Sequence, residues 1–192
     1  MIAIIDYNAG NVRSVQNALT RLGYPSAITK NETEIRAAEK VILPGVGEAG
    51  SAMRNLRNSG LDEVIPTLTQ PFLGICLGLQ VLCEYSEEGD TPCLGIFSNQ
   101  VRKFEANEIV PHMGWNEVRA KEDELFRGLN SPSDFYFVHS YYAELSADTS
   151  ATCNYILPFS AALNKGNFYA TQFHPEKSST QGTQLLLNFL RL

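Results

Sequence analysis

The sequence predicts an α/β fold of three layers, with a mostly parallel central sheet, helices on both faces and an antiparallel β extension. Up to about residue 83, short apolar runs alternate with helical patterns, the signature of a parallel sheet covered on both sides. Residues 93–170 instead show several short β-like pieces, which suggest the antiparallel part. The chain has 192 residues, so residues 1–192 read as a single domain.

The elements follow in order. Ile2–Asp6 is a continuous apolar run and reads as a buried first strand. Val12, Val15, Leu19 and Leu22 recur at helical spacing until Gly23-Tyr24-Pro25 stops the helix. Ser26–Thr29 reads as a strand, Glu32–Ala38 as a short helix and Lys40–Leu43 as a strand entering Pro44-Gly45-Val46-Gly47. Residues 48–57 look helical, and Phe72–Ile75 is another apolar strand. In the second half, Trp115–Val118, Phe135–Tyr142 and Ala151–Ile156 are β-like. Ser178-Ser179-Thr180-Gln181 has the form of a capping box opening a last helix that carries Leu186, Leu187 and Leu190. No repeat, low-complexity tract or long linker interrupts the chain.

Composition narrows the function classes. Hydrophobic residues make up 44% and charged residues 19%, enough for a packed core and too apolar for a disordered chain. The formal charge of −6, without a Lys/Arg cluster, gives no general attraction for nucleic acid or an acidic membrane. No run reaches the ~18 apolar residues of a membrane span. The first residues lack a basic lead-in and a cleavage site, so they read as a strand and not a signal peptide. Cys76, Cys83, Cys93 and Cys153 show neither CxxC nor Cys/His zinc spacing; reduced thiols in a cytoplasm are the expectation, with no metal and no cofactor.

Three segments carry chemistry. In Phe72-Leu73-Gly74-Ile75-Cys76-Leu77-Gly78-Leu79-Gln80 an apolar strand runs through Gly-x-Cys-x-Gly into a helix, the cysteine form of a nucleophile elbow. The turn would hold Cys76 in a strained conformation at the sheet's tip, facing the positive end of the next helix, which favours an ionised sulfur. Gly-x-Cys-x-Gly alone would equally suit a buried structural cysteine. In Thr171-Gln172-Phe173-His174-Pro175-Glu176, an extended backbone would put His174 and Glu176 on one face, and Glu176 could orient the imidazole. Pro44-Gly45-Val46-Gly47 follows a strand and could offer backbone N–H groups to an oxyanion, together with the N–H of Leu77. Each fragment is weak in isolation. All three sit at C-terminal strand ends, where open α/β sheets build their sites.

Together, Gly45-x-Gly47, Gly74-Ile75-Cys76-Leu77-Gly78-x-Gln80 and Phe173-His174-Pro175-Glu176 resemble the triad-type (class I) glutamine amidotransferases. Within that family the chain is most similar to the glutaminase subunits of imidazole glycerol phosphate synthase. Gly10-Asn11-x-x-Ser14, Pro44-Gly45-Val46-Gly47, Pro111-His112-Met113-Gly114-Trp115-Asn116 and His174-Pro175-Glu176-Lys177-Ser178 carry the narrower likeness. The resemblance implies a Cys76, His174, Glu176 triad that hydrolyses the side-chain amide of glutamine. It implies an oxyanion and glutamine site formed by Val46, Gly47, Leu77, Gln80, Ser140 and Tyr141. It also implies a (β/α)8-barrel cyclase partner that receives the ammonia and makes imidazole glycerol phosphate and an aminoimidazole carboxamide ribonucleotide in histidine biosynthesis. The partner face would carry Asn11, Ser14, Met113, Trp115, Tyr136 and Lys177.

His112 and His139 are rival bases, each beside apolar residues that suit a structural or interface role better. Three other readings compete: a non-catalytic scaffold, a free-standing cysteine hydrolase, and an amidotransferase of another pathway such as pyridoxal phosphate synthesis. The intact Cys76, His174 and Glu176 weigh against the first. Gly45-Val46-Gly47 with His112–Asn116 weighs against the second, and the Met-Gly-Trp-Asn stretch against the third.

Overall fold

The computed structural model describes every residue except Ala9 and residues 106–108. The first half alternates strand and helix: β1 (Ile2–Ile5), α1 (Val12–Arg21), β2 (Ser26–Thr29), α2 (Glu32–Ala37), β3 (Lys40–Gly45), α3 (Ala49–Asn58), α4 (Leu61–Val64), β4 (Phe72–Cys76) and α5 (Leu77–Leu82). The remainder is β5 (Tyr85–Ser86), β6 (Thr91–Pro92), β7 (Gln100–Lys103), β8 (His112–Ala120), β9 (Ser133–His139), β10 (Tyr141–Ala143), β11 (Thr149–Tyr155), β12 (Leu157–Lys165), β13 (Phe168–Thr171) and α6 (Ser179–Leu190).

One nine-stranded sheet runs β2-β1-β3-β4-β13-β12-β11-β8-β9. Its β2-β1-β3-β4-β13 half is parallel. From β13 outward every pair is antiparallel. A small second sheet, β10-β7-β5-β6, flanks it. Two cores fill the faces. Val15 and Leu19 of α1 pack with Leu185, Leu186 and Phe189 of α6 on one side. Ile35, Met53, Leu56, Leu61 and the apolar residues of α5 pack on the other. The three-layer expectation therefore holds. The central strands are buried on both faces, with all five residues of β4 buried, as a parallel sheet between helix layers requires.

Three expectations are corrected. Phe135–Tyr142 is not one strand: it breaks at Ser140, where the chain leaves the main sheet as β9 and joins the small sheet as β10. Ser178 is the N-cap of α6 but forms no capping-box bond. Its hydroxyl instead donates to the His174 carbonyl at 2.6 Å and accepts from the Tyr136 N–H at 2.9 Å. Finally, His174 and Glu176 do not face the same way on a strand. β13 ends at Thr171, and Pro175–Lys177 forms a 3-10 turn.

Candidate active site

The elbow is built as the glycine pattern requires. Cys76 adopts φ 56° and ψ −107° between β4 and α5, a region that costs a non-glycine residue about 1–3 kcal/mol and persists where the surroundings enforce it. The enforcement is close packing: a methyl group on Gly78 would lie 1.9 Å from the Leu43 carbonyl oxygen. Only a missing side chain lets α5 approach β3 that closely and aim Cys76 at the sheet's rim.

His174 is delivered to the same rim by the extended residues after β13, which lies beside β4 in the sheet. The 3-10 turn folds Glu176 back so that its Oε1 lies 2.8 Å from His174 Nδ1, both side chains fully buried. The contact expected from the sequence is therefore present, made by a turn and not by strand alternation. The turn is clamped by Ser178 and by the His174 N–H, which donates to the Tyr136 carbonyl at 2.9 Å. His174 Nε2 is buried with no hydrogen-bond partner among the described residues. Burial favours the neutral imidazole. The nearby Cys76, with the hydrogen bond and charge of Glu176, outweighs it and holds the His174 pKa at about 10. That balance favours the protonated imidazole.

Two residues that the sequence did not single out complete the nucleophile's surroundings. Gln172 is fully buried; its Nε2 lies 3.7 Å from Cys76 Sγ. Its Oε1 accepts from Gln80 Nε2 at 3.1 Å. Gln80 also donates to the Tyr141 carbonyl at 3.0 Å and is 4% exposed, so it belongs to the site and not to a helix surface. The second residue is Glu88, whose Oε2 accepts from the Ala49 N–H at 2.8 Å. Desolvation raises its pKa and the nearby Glu48 adds to the rise, against the Ala49 bond, which lowers it. A half-buried carboxylate in this state is one that gains from a cation beside it.

These groups open on a cavity of about 310 Å³ lined by Val46, Gly47, Cys76 and Leu77 on one side, and by Gln80, Glu88, Ser140 and Tyr141 on the other. All six residues expected to bind glutamine or its oxyanion thus meet at Cys76. A larger hollow of about 550 Å³ lies along residues 120–131. Neither cysteine nor histidine lines it; Cys76 lines the smaller one.

The rival bases are accounted for. His139 Nδ1 lies 2.7 Å from the Tyr141 carbonyl, which can only accept, so Nδ1 carries the proton and Nε2 accepts from His112 Nδ1 at 2.9 Å. His112 Nε2 then faces the Asn116 amide at 3.2 Å. Burial drives His112 down to about 4. Burial, with the charges of His112 and His174, drives His139 down to about 3 against the Tyr141 bond. His112 is stacked on Tyr155, with ring centroids 4.0 Å apart. The pair is a neutral, tautomer-fixed prop beneath Tyr141.

Residues 3–192 match the family model described as glutamine amidotransferase class-I. The chain belongs to the class-I glutamine amidotransferase family. Its similarity to characterised members is extensive. It is 53% identical to the imidazole glycerol phosphate synthase subunit HisH of Bacteroides fragilis (strain YCH46), over 100% of this chain and 99% of that one. It is 51% identical to the subunit HisH 2 of Legionella pneumophila (strain Paris), over 100% and 98%. Among solved structures, a glutamine amidotransferase matches with a TM-score of 0.77 at 20% identity, covering 100% of this chain and 98% of that one. Another glutamine amidotransferase, from Thermotoga maritima, matches at 0.66 and 17%, covering 99% and 82%. At that identity the structures speak for the amidotransferase fold.

The residues expected to meet a partner lie beside this amidotransferase site. Met113 and Trp115 are 63% and 54% exposed. Trp115 is therefore not a core residue; it packs edge-on against Tyr136, its register partner on β9, at 6.1 Å. Lys177 is exposed and Ser14 half-buried. Asn11 is half-buried, and its Nδ2 lies 2.5 Å from Glu176 Oε1, so its amide also supports the triad carboxylate. Cys83, Cys93 and Cys153 are free like Cys76. Burial drives all three thiols up, Cys93 and Cys153 to about 12, which leaves them unreactive. Among the described residues no helix is long and apolar enough to cross a membrane.

Proposed function

We propose that this chain is the glutaminase subunit of an imidazole glycerol phosphate synthase, hydrolysing glutamine to glutamate and ammonia for a (β/α)8-barrel cyclase partner in the cytoplasm. The observation that carries the reading is the convergence of Cys76, His174 and Glu176 at one rim, with Gln172 Nε2 on the sulfur. The near-50% identity to HisH subunits over full length supports the pathway.

The geometry supports an ordered mechanism. Cys76 passes its proton to His174 and attacks the carboxamide carbon of glutamine. Glu176 and Asn11 hold the imidazolium in place. Backbone N–H groups of Leu77 and of the Val46-Gly47 turn stabilise the tetrahedral oxyanion, and one such donor is worth about 2.7–4 kcal/mol in the transition state. His174 then returns its proton to the departing nitrogen, which leaves as ammonia and a thioester on Cys76. Water, deprotonated by His174, cleaves the thioester to glutamate and restores the thiol. Glu88 faces the ammonium of the substrate, while Gln80, Ser140 and Tyr141 supply polar contacts along the pocket.

Ammonia released into water is protonated and loses its nucleophilicity, so the site requires a cover that leads to the acceptor. The exposed Met113 and Trp115, with Tyr136, Ser14 and Lys177, form an apolar and cationic rim suited to that role, with Trp115 as anchor. Glutaminase activity titrated with the barrel partner and its nucleotide ligand, with Cys76→Ala as control, tests the reading. Low activity of the chain alone and strong stimulation by the partner is the expected result. Comparable rates with and without the partner would refute the coupling.

A further inference from the structure

Tyr7 follows β1 and is 2% exposed, yet its hydroxyl has no hydrogen-bond partner among the described residues. Its ring packs in the core of α2–α5, with Leu43, Ala49 and Leu77. The oxygen sits where a side chain at Gly45 would be: an ideal Cβ there would lie 2.0 Å from it and 3.1 Å from the Leu77 Cβ. Gly45 pairs in register with Cys76. The phenol is thus wedged beneath the first residue of the Gly45-Val46-Gly47 turn and beside Leu77. Those are the two halves of the oxyanion site, approached from the sheet face opposite the core that Cys76 joins.

An orphaned buried hydroxyl costs about 1–3 kcal/mol, and phenylalanine would keep the ring packing without that cost. Burial and the charge of Cys76 both push the phenol's pKa up, so it stays a neutral donor at any working pH. The adjoining turn has room to change: Val46 is 38% exposed, and Gly47 at φ 117° has no side chain to restrict it.

We propose that Tyr7 is a positioning residue for the oxyanion turn, its hydroxyl donating to a turn carbonyl in the arrangement that binds the tetrahedral intermediate. The C=O and N–H of a peptide point in opposite directions. A carbonyl held on the Tyr7 side therefore turns the N–H of the same peptide toward Cys76. The inference rests on the glutaminase reading and adds to it a residue that touches neither substrate nor nucleophile.

Steady-state glutaminase kinetics of the partner complex, wild type against Tyr7→Phe, with thermal unfolding of both, tests it. The expected result is a kcat about tenfold lower, a KM within twofold, and a thermal midpoint unchanged or higher, because an unpartnered polar atom has been removed. A kcat within twofold of wild type overturns the proposal. So does a loss shared between kcat and KM with a lowered midpoint, the mark of general loosening. A wild-type complex with no glutaminase activity would instead overturn the glutaminase reading, and this proposal with it.

Discussion

Replacing Gln172 by leucine isolates the contribution of the hydrogen bond to the nucleophile. The side chain is fully buried and spans two partners: its Nε2 reaches Cys76 Sγ at 3.7 Å and its Oε1 receives Gln80 at 3.1 Å. Leucine has a similar volume, so no large cavity is created. A hydrogen bond to a charged group contributes about 1.5–3 kcal/mol. At 3.7 Å the lower end applies, and about 1.5 kcal/mol corresponds to a factor of about ten in rate. Gln80 Nε2 keeps the Tyr141 carbonyl but loses its second acceptor, a stability cost of about 1–3 kcal/mol, or a few degrees in thermal midpoint for a chain this size. Glutaminase kcat should fall about tenfold while KM changes little. Gln172→Glu, which sets a carboxylate against the thiolate, should fall further than leucine does. If Gln172→Leu keeps kcat within twofold of wild type, the amide plays no part in holding the sulfur and the reasoning fails.

Three further outcomes follow from the same geometry. Glu88→Gln should raise KM for glutamine by tenfold or more with a smaller effect on kcat, as for a group that binds the substrate's ammonium without reaching the reacting carbon; a pure kcat loss would remove it from that role. The buried histidine pair sets a pH dependence. His112 and His139 are held near 4 and 3, so below about pH 6.5 the unfolded chain takes up protons that the folded pair refuses, and stability falls as pH falls. Denaturant unfolding between pH 4.5 and 6.5 should show a slope up to about 1.4 kcal/mol per pH unit shallower in His112→Gln; an unchanged slope would mean the imidazole is protonated in the fold. Trp115→Ala should weaken association with the barrel partner by about 2 kcal/mol, roughly thirtyfold in Kd, without lowering the chain's own thermal midpoint. Undiminished binding by titration calorimetry would move the interface elsewhere.

Strands β3 and β4 were legible because they announce themselves twice, by apolar runs and by the glycine-bearing turns that end them. Lys40–Leu43 leading into Pro44-Gly45 and Phe72–Ile75 leading into Cys76 both lie where the pattern placed them. β12 was not. Ser160, Ala161 and Ala162 are buried in the sheet, with neither two-residue alternation nor β-branched side chains to mark them. The triad was readable from spacing, although the link between His174 and Glu176 comes from a 3-10 turn. Gln172, Glu88 and the contact of Asn11 with Glu176 were hidden for a common reason: each acts through residues distant in sequence, 96 positions away for the Gln172 contact with Cys76 and 165 for Asn11. Local pattern carries no trace of such pairs. Ser178 did carry a signal, a serine before a helix, but its hydroxyl bonds to Tyr136 and His174, and only its backbone carbonyl serves the helix it begins.

The central claim is that Cys76 is an activated nucleophile addressed by glutamine. Intact mass spectrometry and peptide mapping after incubating the partner complex with a diazoketone analogue of glutamine addresses it directly. One adduct is expected, on Cys76, prevented by excess glutamine and strongly slowed in His174→Ala, with Cys83, Cys93 and Cys153 unmodified. Modification spread over several cysteines, or a Cys76 adduct indifferent to both glutamine and His174, would contradict it.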